Sequence, residues 1–390
     1  MGQEGLAHAR TSALWLAIFA CVAAGSIACE PNTDIVARRN TLRDAQVDSG
    51  PAGCDAANCR DAEVIEPEDD AGDAGDAGCS APVDCGTPMP GNCAAQSCTS
   101  LATKSDFCAA AQPPSVVLGD SCDAAGRTHF KFAVCTCRGL VTNAGFEVDS
   151  LSSTAAAGSA SVASNDEVRL GPDTSIDGAL YVTGMYGAAA TPRVVAGVME
   201  SAPPACSCDP KLFLDTAALI NARSRDNDNA AAQLTATSLN GFNGSTLSLD
   251  CGRYYFDRVV GSGLLSLQAK GRVAIFIAGD LGLDDGLTLT LQNGATAEIY
   301  VGGNVRVGGR LELSTSNDGN RVLLAVGGSG TIDLAQDALI DGSIYAPRAE
   351  IVTRGTLELN GSLFVNRANF AKATRVHYQP IPATREMCTR

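Results

Sequence analysis

The sequence predicts an all-β fold: a right-handed parallel β-helix (solenoid) with a helical insertion and a small disulfide-rich N-terminal module. Two features of the chain predict the solenoid. From residue 271 onward, runs of alternating apolar and polar residues, typical of β-strands, are separated by Gly, Asn or Asp. One strand pattern also recurs at intervals of roughly 20–25 residues, a repeat length found in solenoids. Its copies begin at Ile275, Ile299, Leu324, Ile344 and Leu363.

Successive coils of a β-solenoid stack their equivalent strands about 4.8 Å apart and bury their inward side chains in apolar ladders. Glycine suits the corners because a positive φ carries no penalty for it. We expect a right-handed coil, the hand that parallel crossovers adopt. An antiparallel sandwich also has many short strands, but it gives no reason for matched strands to recur at this interval.

Residues 1–28 have the pattern of a lipoprotein signal peptide. A basic residue precedes an apolar run over residues 13–24, and Ser26 and Ala28 place small residues before Cys29. Cleavage before Cys29 would leave its thiol to carry a lipid that anchors the protein to a bilayer. The next residue is Glu rather than the Asp that often signals inner-membrane retention, so we expect the outer membrane or the cell surface. The alternative is an ordinary secretory leader, cleaved without lipidation, and the chain is exported in both cases.

Residues 29–78 are predicted to be a disordered acidic linker. Residues 61–76 hold eight acidic side chains and no Lys or Arg, and they lack the apolar content that offsets chain entropy. A calcium site at Asp70, Asp73 and Asp76 is the alternative, but the spacing matches neither an EF-hand loop nor a calcium-binding nonapeptide repeat. The formal charge of −15 therefore comes largely from the front of the chain. Since residues 253–390 are near neutral, with 14 basic and 13 acidic side chains, we expect no nucleic-acid partner.

Cysteine usage predicts that residues 79–140 form a small disulfide module. The chain has 16 cysteines, and an even number remains once the leader and the lipidated residue are set aside, in a compartment where disulfides persist. The disulfide candidates are Cys79, Cys85, Cys93, Cys98, Cys108, Cys122, Cys135, Cys137, Cys206, Cys208, Cys251 and Cys388. Two Cys-x-Cys pairs among them offer four thiolates for zinc, but structural zinc ligands usually have two or more residues between them. We therefore expect disulfides of unassigned pairing and no metal or other cofactor.

The body of the protein follows in parts. Residues 141–200 contain short strand patterns and are expected to form the first coils. Residues 201–250 place apolar side chains at helical spacing and are expected to be a helical insertion that caps or flanks the solenoid. Residues 251–380 are expected to form the main β-helix, and residues 381–390 a tail. Pro380 follows the last strand pattern directly, which predicts that the solenoid stops at that end.

Segments 251–255, 271–280, 342–347 and 376–378 carry recurring strand and corner patterns. Together they resemble an uncharacterised β-helical domain of exported bacterial, myxobacterial-type lipoproteins, over residues 140–380. They also have a distant general likeness to the repeats of bactofilins, which form polymers. The resemblance implies a β-helical fold and brings no catalytic residues. Bactofilins are cytoplasmic or membrane-facing and lack disulfides, which this exported, cysteine-containing chain does not match.

The sequence contains no phosphate loop, dinucleotide fingerprint, nucleophile elbow or His-Glu-x-x-His motif. We therefore predict no catalytic, cofactor-binding or metal-binding residue, and we interpret His129 and His377 as strand residues. The functional hypothesis is a membrane-anchored surface lipoprotein whose rigid β-helix has a structural, adhesive or binding role in the cell envelope. Its expected partners are the membrane, through the lipid, and a cell-surface polysaccharide or envelope protein.

A polysaccharide-active β-helix enzyme, a lyase or hydrolase, is the alternative. Its candidate residues are Asp280, Asp284, Asp285, Arg306 and Arg310. The simpler interpretation is that these are solvated corner and strand residues, since a fold does not imply an activity. A groove with carboxylates and a basic residue on adjacent coils favours the enzyme, whereas a flat face of Ser, Thr and Asn side chains favours binding.

Overall fold

A computed structural model describes residues 104–109, 130–151, 160–292, 294–313 and 321–379. The predicted leader with Cys29, the linker, the tail and most of residues 79–140 lie outside these residues. The described chain forms a parallel sheet of 23 strands that coils on itself as a β-solenoid. In this part of the chain, no helix is long and apolar enough to cross a membrane.

The helices are few and short. They are α1 Lys104–Ala109, a 3-10 turn at Pro210–Leu212, α2 Thr216–Arg223 and a second 3-10 turn at Ala230–Ala232. The first group of strands is β1 Val134–Thr142, β2 Phe146–Ser150, β3 Val162–Ser164, β4 Glu167–Leu170, β5 Thr174–Ile176, β6 Leu180–Val182, β7 Tyr186–Ala188, β8 Arg193–Val194 and β9 Val198–Glu200. The second group is β10 Asn240–Phe256, β11 Val259–Ile277, β12 Leu281–Leu283, β13 Gly286–Leu291, β14 Thr296–Val301, β15 Val305–Val307, β16 Arg310–Leu313, β17 Val322–Val326, β18 Thr331–Leu334, β19 Ala338–Ile340, β20 Gly342–Thr353, β21 Leu357–Gly361, β22 Leu363–Phe370 and β23 Thr374–Tyr378.

Each coil supplies a strand segment to each of three faces. The covered face contains β3, β6, β9, β14, β17, the first parts of β1, β20 and β22, and the last parts of β10 and β11. The second face contains β4, β7, β12, β15, β18, the first parts of β10 and β11, and the last parts of β1, β20 and β22. The open face contains β2, β5, β8, β13, β16, β19, β21, β23 and the middle parts of β10 and β11.

The predicted strand repeat is confirmed residue by residue on the covered face. The repeated first positions stand opposite one another in register from coil to coil, in the order Ile275, Ile299, Leu324, Ile344 and Leu363. All of them are buried. Each fully buried side chain of this size contributes about 1.5–3 kcal/mol, so such ladders are the main source of stability along the axis.

The coils do not stack in chain order. β10 lies at one end of the solenoid, and the chain winds from it to β22 and β23. These two strands then pair in parallel with β1 and β2, with Leu363 opposite Val134 and Thr374 opposite Phe146. We call this junction the seam. From the seam the chain winds on to β9 at the other end, so residues 201–239 must run the length of the solenoid to reach β10.

This order overturns one expectation. The solenoid was expected to stop after the last strand, but β23 pairs with β21 on one side and with β2 on the other. Pro380 itself lies outside the described residues. The strand boundaries also differ from the sequence-based ranges. β1 begins at Val134, within the predicted disulfide module, and β10 begins at Asn240, within the predicted helical insertion. The Gly and Asn residues at the start of β10 interrupt its alternating pattern, which hid the strand.

Glycines at one corner are required by close stacking rather than by positive φ. A Cβ at Gly303 would lie 2.3 Å from Asp280 Oδ1, and one at Gly328 would lie 2.5 Å from the Gly303 carbonyl oxygen. Neither glycine has a positive φ. The expected reason for glycine at the corners is therefore wrong at these two positions, where the adjacent coil leaves no space for a side chain.

Residues 201–239, the crossing segment, pack on the covered face and form a second apolar core with it. Phe276 and Tyr300 stack with ring centroids 5.0 Å apart, and Tyr345 and Phe364 stack at 5.6 Å. The Leu214 amide donates to the Tyr345 hydroxyl at 2.9 Å. Burial raises the pKa of Tyr345 to about 12. The outward side chains of this face are therefore shielded by the protein itself.

Candidate functional site

The covered face holds a charged cluster whose groups satisfy one another. Arg272 Nη2 donates to Glu298 Oε1 at 2.7 Å, and the Tyr300 hydroxyl donates to Glu298 Oε2 at 2.8 Å. The Arg272 guanidinium lies 4.3 Å from the centre of the Phe107 ring of α1. Burial, followed by the charge of Glu298, raises the pKa of Tyr300 well above its ordinary value. Because the cluster is enclosed and paired, it holds α1 against the solenoid rather than offering a ligand site.

The open face carries two rows of outward side chains along the solenoid. The first row, in register from coil to coil, is Thr246, Ser266, Thr288, Glu312, Leu339, Glu358, Arg375, Glu147, Ser175 and Arg193. The second row includes Ser248, Gln268 and Thr290 near β10, and Asn360, His377 and Asp149 at the seam. Leucines alternate with them in sequence and fix these side chains outward from within the core.

We call the part nearest β10 the hydroxyl region. Its members are Thr246, Ser248, Ser266, Gln268, Thr288 and Thr290, which are exposed or half-buried. Register places them one coil apart along the axis, about 4.8 Å, and two residues apart along each strand, about 7 Å. The region is a flat grid of hydrogen-bond donors and acceptors without charge. Such a grid is suited to a ligand that itself repeats.

At the seam the first row becomes charged. Glu358, Arg375 and Glu147 occupy successive coils in direct register. Arg375 Nε lies 3.2 Å from Glu147 Oε2, and both side chains are more than half exposed at 63% and 51%. Two carboxylates with a basic residue between them are thus aligned on adjacent coils. They stand on the flat face rather than in a groove.

Beside this row lies a hydrogen-bonded polar row that crosses the seam. Asn360 Nδ2 donates to Asp341 Oδ1 at 2.5 Å, and His377 Nδ1 lies 2.6 Å from Asp149 Oδ1. Asp341 and Asn360 are buried, whereas His377 and Asp149 are half-buried. Burial raises the pKa of the Asp341 carboxyl, an effect that the hydrogen bond from Asn360 opposes. Chemically, the row offers an imidazole held by a carboxylate at the surface.

The residues named for the enzymatic alternative do not all converge, although Asp285 and Arg310 lie at the same corner on adjacent coils. Asp280 Oδ1 accepts from the Asn304 amide at 2.7 Å and so ties two coils together at a corner. Asp284 and Asp285 lie in the turn before β13, and Arg306 points outward on the second face. Arg310 lies on the open face, with its Nε 3.9 Å from Glu312 Oε2. Their separation on different faces and corners argues against a single catalytic centre made from these residues.

Six of the candidate cysteines lie within the described residues and form disulfides. Cys135 bonds to Cys206 and Cys137 bonds to Cys208, each over a sequence separation of 71, and Cys108 bonds to Cys251 over 143. The first pairs tie the start of the crossing segment to β1, and the third ties α1 to β10. Cys29, Cys79, Cys85, Cys93, Cys98, Cys122 and Cys388 lie outside the described residues. Among the described residues, no group of three or more His, Cys, Asp or Glu is placed to hold a metal ion.

Sequence reasoning did not find the seam pair. It interpreted His377 as an ordinary strand residue, and it attached no role to Asp149. These residues are 228 positions apart, and nothing in the local pattern indicates that their coils are neighbours. The pair could have been predicted only if the stacking of β23 on β2 had been known.

Comparison with known proteins gives limited information on function. No curated protein matches this chain. A solved structure, an ice-binding protein from the Antarctic ascomycete Antarctomyces psychrotrophicus, matches with 14% sequence identity and a TM-score of 0.30, covering 65% of this chain and 96% of that one. Residues 214–384, which include α2 and the strands from β10 to β23, match the family described as Domain of unknown function (DUF7305).

Proposed function

We propose that this chain is an exported, lipid-anchored protein of the outer membrane or cell surface, and that its solenoid is a rigid binding module without catalytic activity. The open face contacts the ligand, and the acidic linker holds the solenoid away from the membrane. We also propose that the coil is right-handed and that cysteines of residues 79–140 contribute to a disulfide-stabilised N-terminal region. The expected ligand is an extended cell-surface polysaccharide or an envelope protein with a repeating surface.

The hydroxyl region is the observation that carries the binding proposal. Three neighbouring coils present Ser, Thr and Gln side chains outward in register, over a core of leucines that holds them in place. Rigid placement lowers the entropy cost of binding, because few side chains must be ordered when the ligand arrives. A polysaccharide chain offers hydroxyl groups at regular intervals and therefore complements such a grid.

Binding is tested with the full chain carrying Cys29→Ser on a glycan array and on insoluble polysaccharides. The double variant Thr246→Lys/Thr288→Lys disrupts the flat grid, and we expect it to lose binding at least ten-fold. Thr331→Lys is the matched control, since Thr331 is an exposed strand threonine on the second face. Binding that survives the double variant, or that the control also abolishes, would refute the assignment of the open face.

The anchor is tested separately. Lipidation of Cys29 predicts that the wild-type protein incorporates a labelled fatty acid and fractionates with the outer membrane, and that Cys29→Ser releases it in soluble form. Acyl chains contribute about 0.8 kcal/mol per buried methylene, so the loss of the lipid should shift the protein fully from the membrane. A Cys29→Ser protein that stays in the membrane fraction would exclude this anchor.

The enzymatic alternative is favoured by one observation, the alignment of Glu358, Arg375 and Glu147 beside the pair of His377 and Asp149. Inverting glycosidases hold two carboxyl groups about 6.5–9.5 Å apart, and residues two coils apart are at roughly this spacing. Release of reducing sugar or unsaturated product from any bound polysaccharide would support this alternative, provided that Glu147→Gln abolishes it. Binding without product release supports the non-catalytic module.

A further inference from the structure

One end of the solenoid carries a built cap. The Asp228 amide donates to the Arg253 carbonyl oxygen at 2.6 Å, and Asp228 Oδ2 accepts from the Arg253 amide at 2.8 Å. The Asn229 side chain binds Tyr255, two residues further along β10. Its Oδ1 accepts from the Tyr255 amide at 2.9 Å, and its Nδ2 donates to the Tyr255 carbonyl oxygen at 2.6 Å. Backbone groups of Arg253 and Tyr255 on the outer edge of β10 are thereby satisfied, and this last part of the strand is closed to further strands.

The opposite end differs. Within the described residues, β7, β8 and β9 pair only with β4, β5 and β6, so that their outer edges have no strand partner. Large apolar side chains are exposed here, with Met185 at 70%, Val195 at 54% and Met199 at 42%. We call residues 184–202 the free end. Unpaired edges with exposed apolar side chains are the features by which strands recruit another chain.

We infer that a second copy of this chain docks on the free end, head to head. The free end contains one Arg and one Glu, so it is neutral and nothing repels an identical surface. Head-to-tail stacking would require an open edge along the whole of β10, and the cap occupies its last part. The Cys108–Cys251 bond holds α1 at β10, at the capped end.

The stagger of the strands selects one symmetric arrangement. A solenoid rises steadily along the chain, so β7 is the lowest of the last three edges, β8 is intermediate and β9 is the highest. Consider a two-fold axis that is perpendicular to the solenoid axis and passes through the face of β8. It places β8 against β8 of the second copy, and it places the low edge of β7 against the high edge of β9 of the second copy. The three junctions, β7 with β9, β8 with β8 and β9 with β7, then form at the same time, and each is antiparallel. Because both free ends are used, the assembly stops at two copies.

The side chains at these junctions are complementary. Antiparallel pairing of β7 with β9 of the second copy sets Gly187 opposite Met199 and Tyr186 opposite Glu200. A Cβ built on Gly187 meets nothing within 4 Å, so this edge has open space for the methionine. The Tyr186 hydroxyl of one copy can donate to the Glu200 carboxylate of the other. The exposed methionine of each copy is thus covered by the glycine edge of the other.

Analytical ultracentrifugation of the full chain with Cys29→Ser tests the inference, because the lipid is then absent. We expect a dimer, and we expect Met199→Lys to weaken it at least ten-fold since the charge is buried in the junction. Leu264→Lys is the matched control. Leu264 is 48% exposed at the corner of β11 between the second face and the open face, on a coil next to β10, and its variant should remain dimeric.

Circular dichroism verifies that each variant is folded. A wild-type monomer would overturn the inference. It is the result expected if another segment of the same chain covers the free end. A dimer that Met199→Lys leaves intact, or species larger than a dimer, would overturn it as well. Retention of the dimer by Met199→Leu, which keeps an apolar side chain, supports it.

Discussion

His377 and Asp149 link the two parts of the solenoid, with Nδ1 and Oδ1 2.6 Å apart across 228 residues of sequence. Around them, Phe146 stacks on Phe370 with ring centroids 6.1 Å apart, and the Tyr378 hydroxyl donates to the Phe130 carbonyl oxygen at 2.9 Å. The seam therefore resembles any other coil junction in packing, although its two strand sets come from distant parts of the chain.

Removal of the seam pair should weaken the whole solenoid. A hydrogen bond to a charged group contributes about 1.5–3 kcal/mol, and both side chains here are partly exposed to water. We therefore expect Asp149→Ala to lower the free energy of unfolding by about 1–2 kcal/mol. Asp177→Ala is the control, because the exposed pair of Asp177 and Arg193 lies within one strand group, and its loss should stay within about 0.5 kcal/mol. Urea denaturation measures both, and equal effects would show that the seam has no special weight.

The buried Asp341 makes stability depend on pH. Burial raises its pKa in the folded state above the ordinary value, so the folded protein binds the proton more tightly than the unfolded chain does. The contribution of Asp341 to stability therefore falls as pH rises from the ordinary carboxyl pKa through the raised one. We expect Asp341→Asn to be more stable than wild type above that interval, with the advantage vanishing in acid. A difference that does not change with pH in chemical denaturation would contradict this.

The disulfides at the start of the crossing segment should act redundantly. Cys135–Cys206 and Cys137–Cys208 close nearly the same loop, each with a sequence separation of 71. Chain-entropy arithmetic assigns about 4 kcal/mol to a first bond of this span, whereas a second bond around the same loop adds little. We expect the alanine replacement of either pair alone to cost about 1 kcal/mol, and of both pairs about 4 kcal/mol. Guanidinium denaturation of the three variants checks this, and additive losses would contradict the shared loop.

The coil itself could be predicted from sequence because the information is local. Alternation decides which side chains point inward, and the recurring positions such as Ile275 and Ile299 stack on one another as their interval indicates. The hydroxyl region is also visible in the sequence, because Thr288 and Thr290 alternate with leucines.

The order of the coils could not be predicted, because strand pairing between coils carries no local signature. Every coil presents apolar ladders of similar shape, and Leu363 packs on Val134 by the same rules as on Ile344. The seam and the pair of His377 and Asp149 follow from that order, so they were invisible for the same reason. A further obstacle was β10, whose Gly and Asn residues resemble a loop until the next coil fixes them in register.

The enclosed pair of Arg272 and Glu298 yields the last prediction. Their side chains are 10% and 5% exposed, and Arg272 Nη2 lies 2.7 Å from Glu298 Oε1. Arg272→Met keeps the apolar stem but leaves the Glu298 carboxylate buried with the Tyr300 hydroxyl as a donor, and we expect a loss of about 3–5 kcal/mol in the free energy of unfolding.

Arg169→Met is the matched control for this variant. Arg169 Nη2 lies 3.1 Å from Glu167 Oε2, but the Arg169 side chain is 67% exposed. The Glu167 side chain is 18% exposed, against 5% for Glu298, so water reaches its carboxylate when the pair is broken. We therefore expect the control to stay within about 1 kcal/mol of wild type. Thermal and urea denaturation compares the two variants. If both lose the same small amount, the covered face is more hydrated than its packing implies, and the role of Arg272 in holding α1 would have to be abandoned.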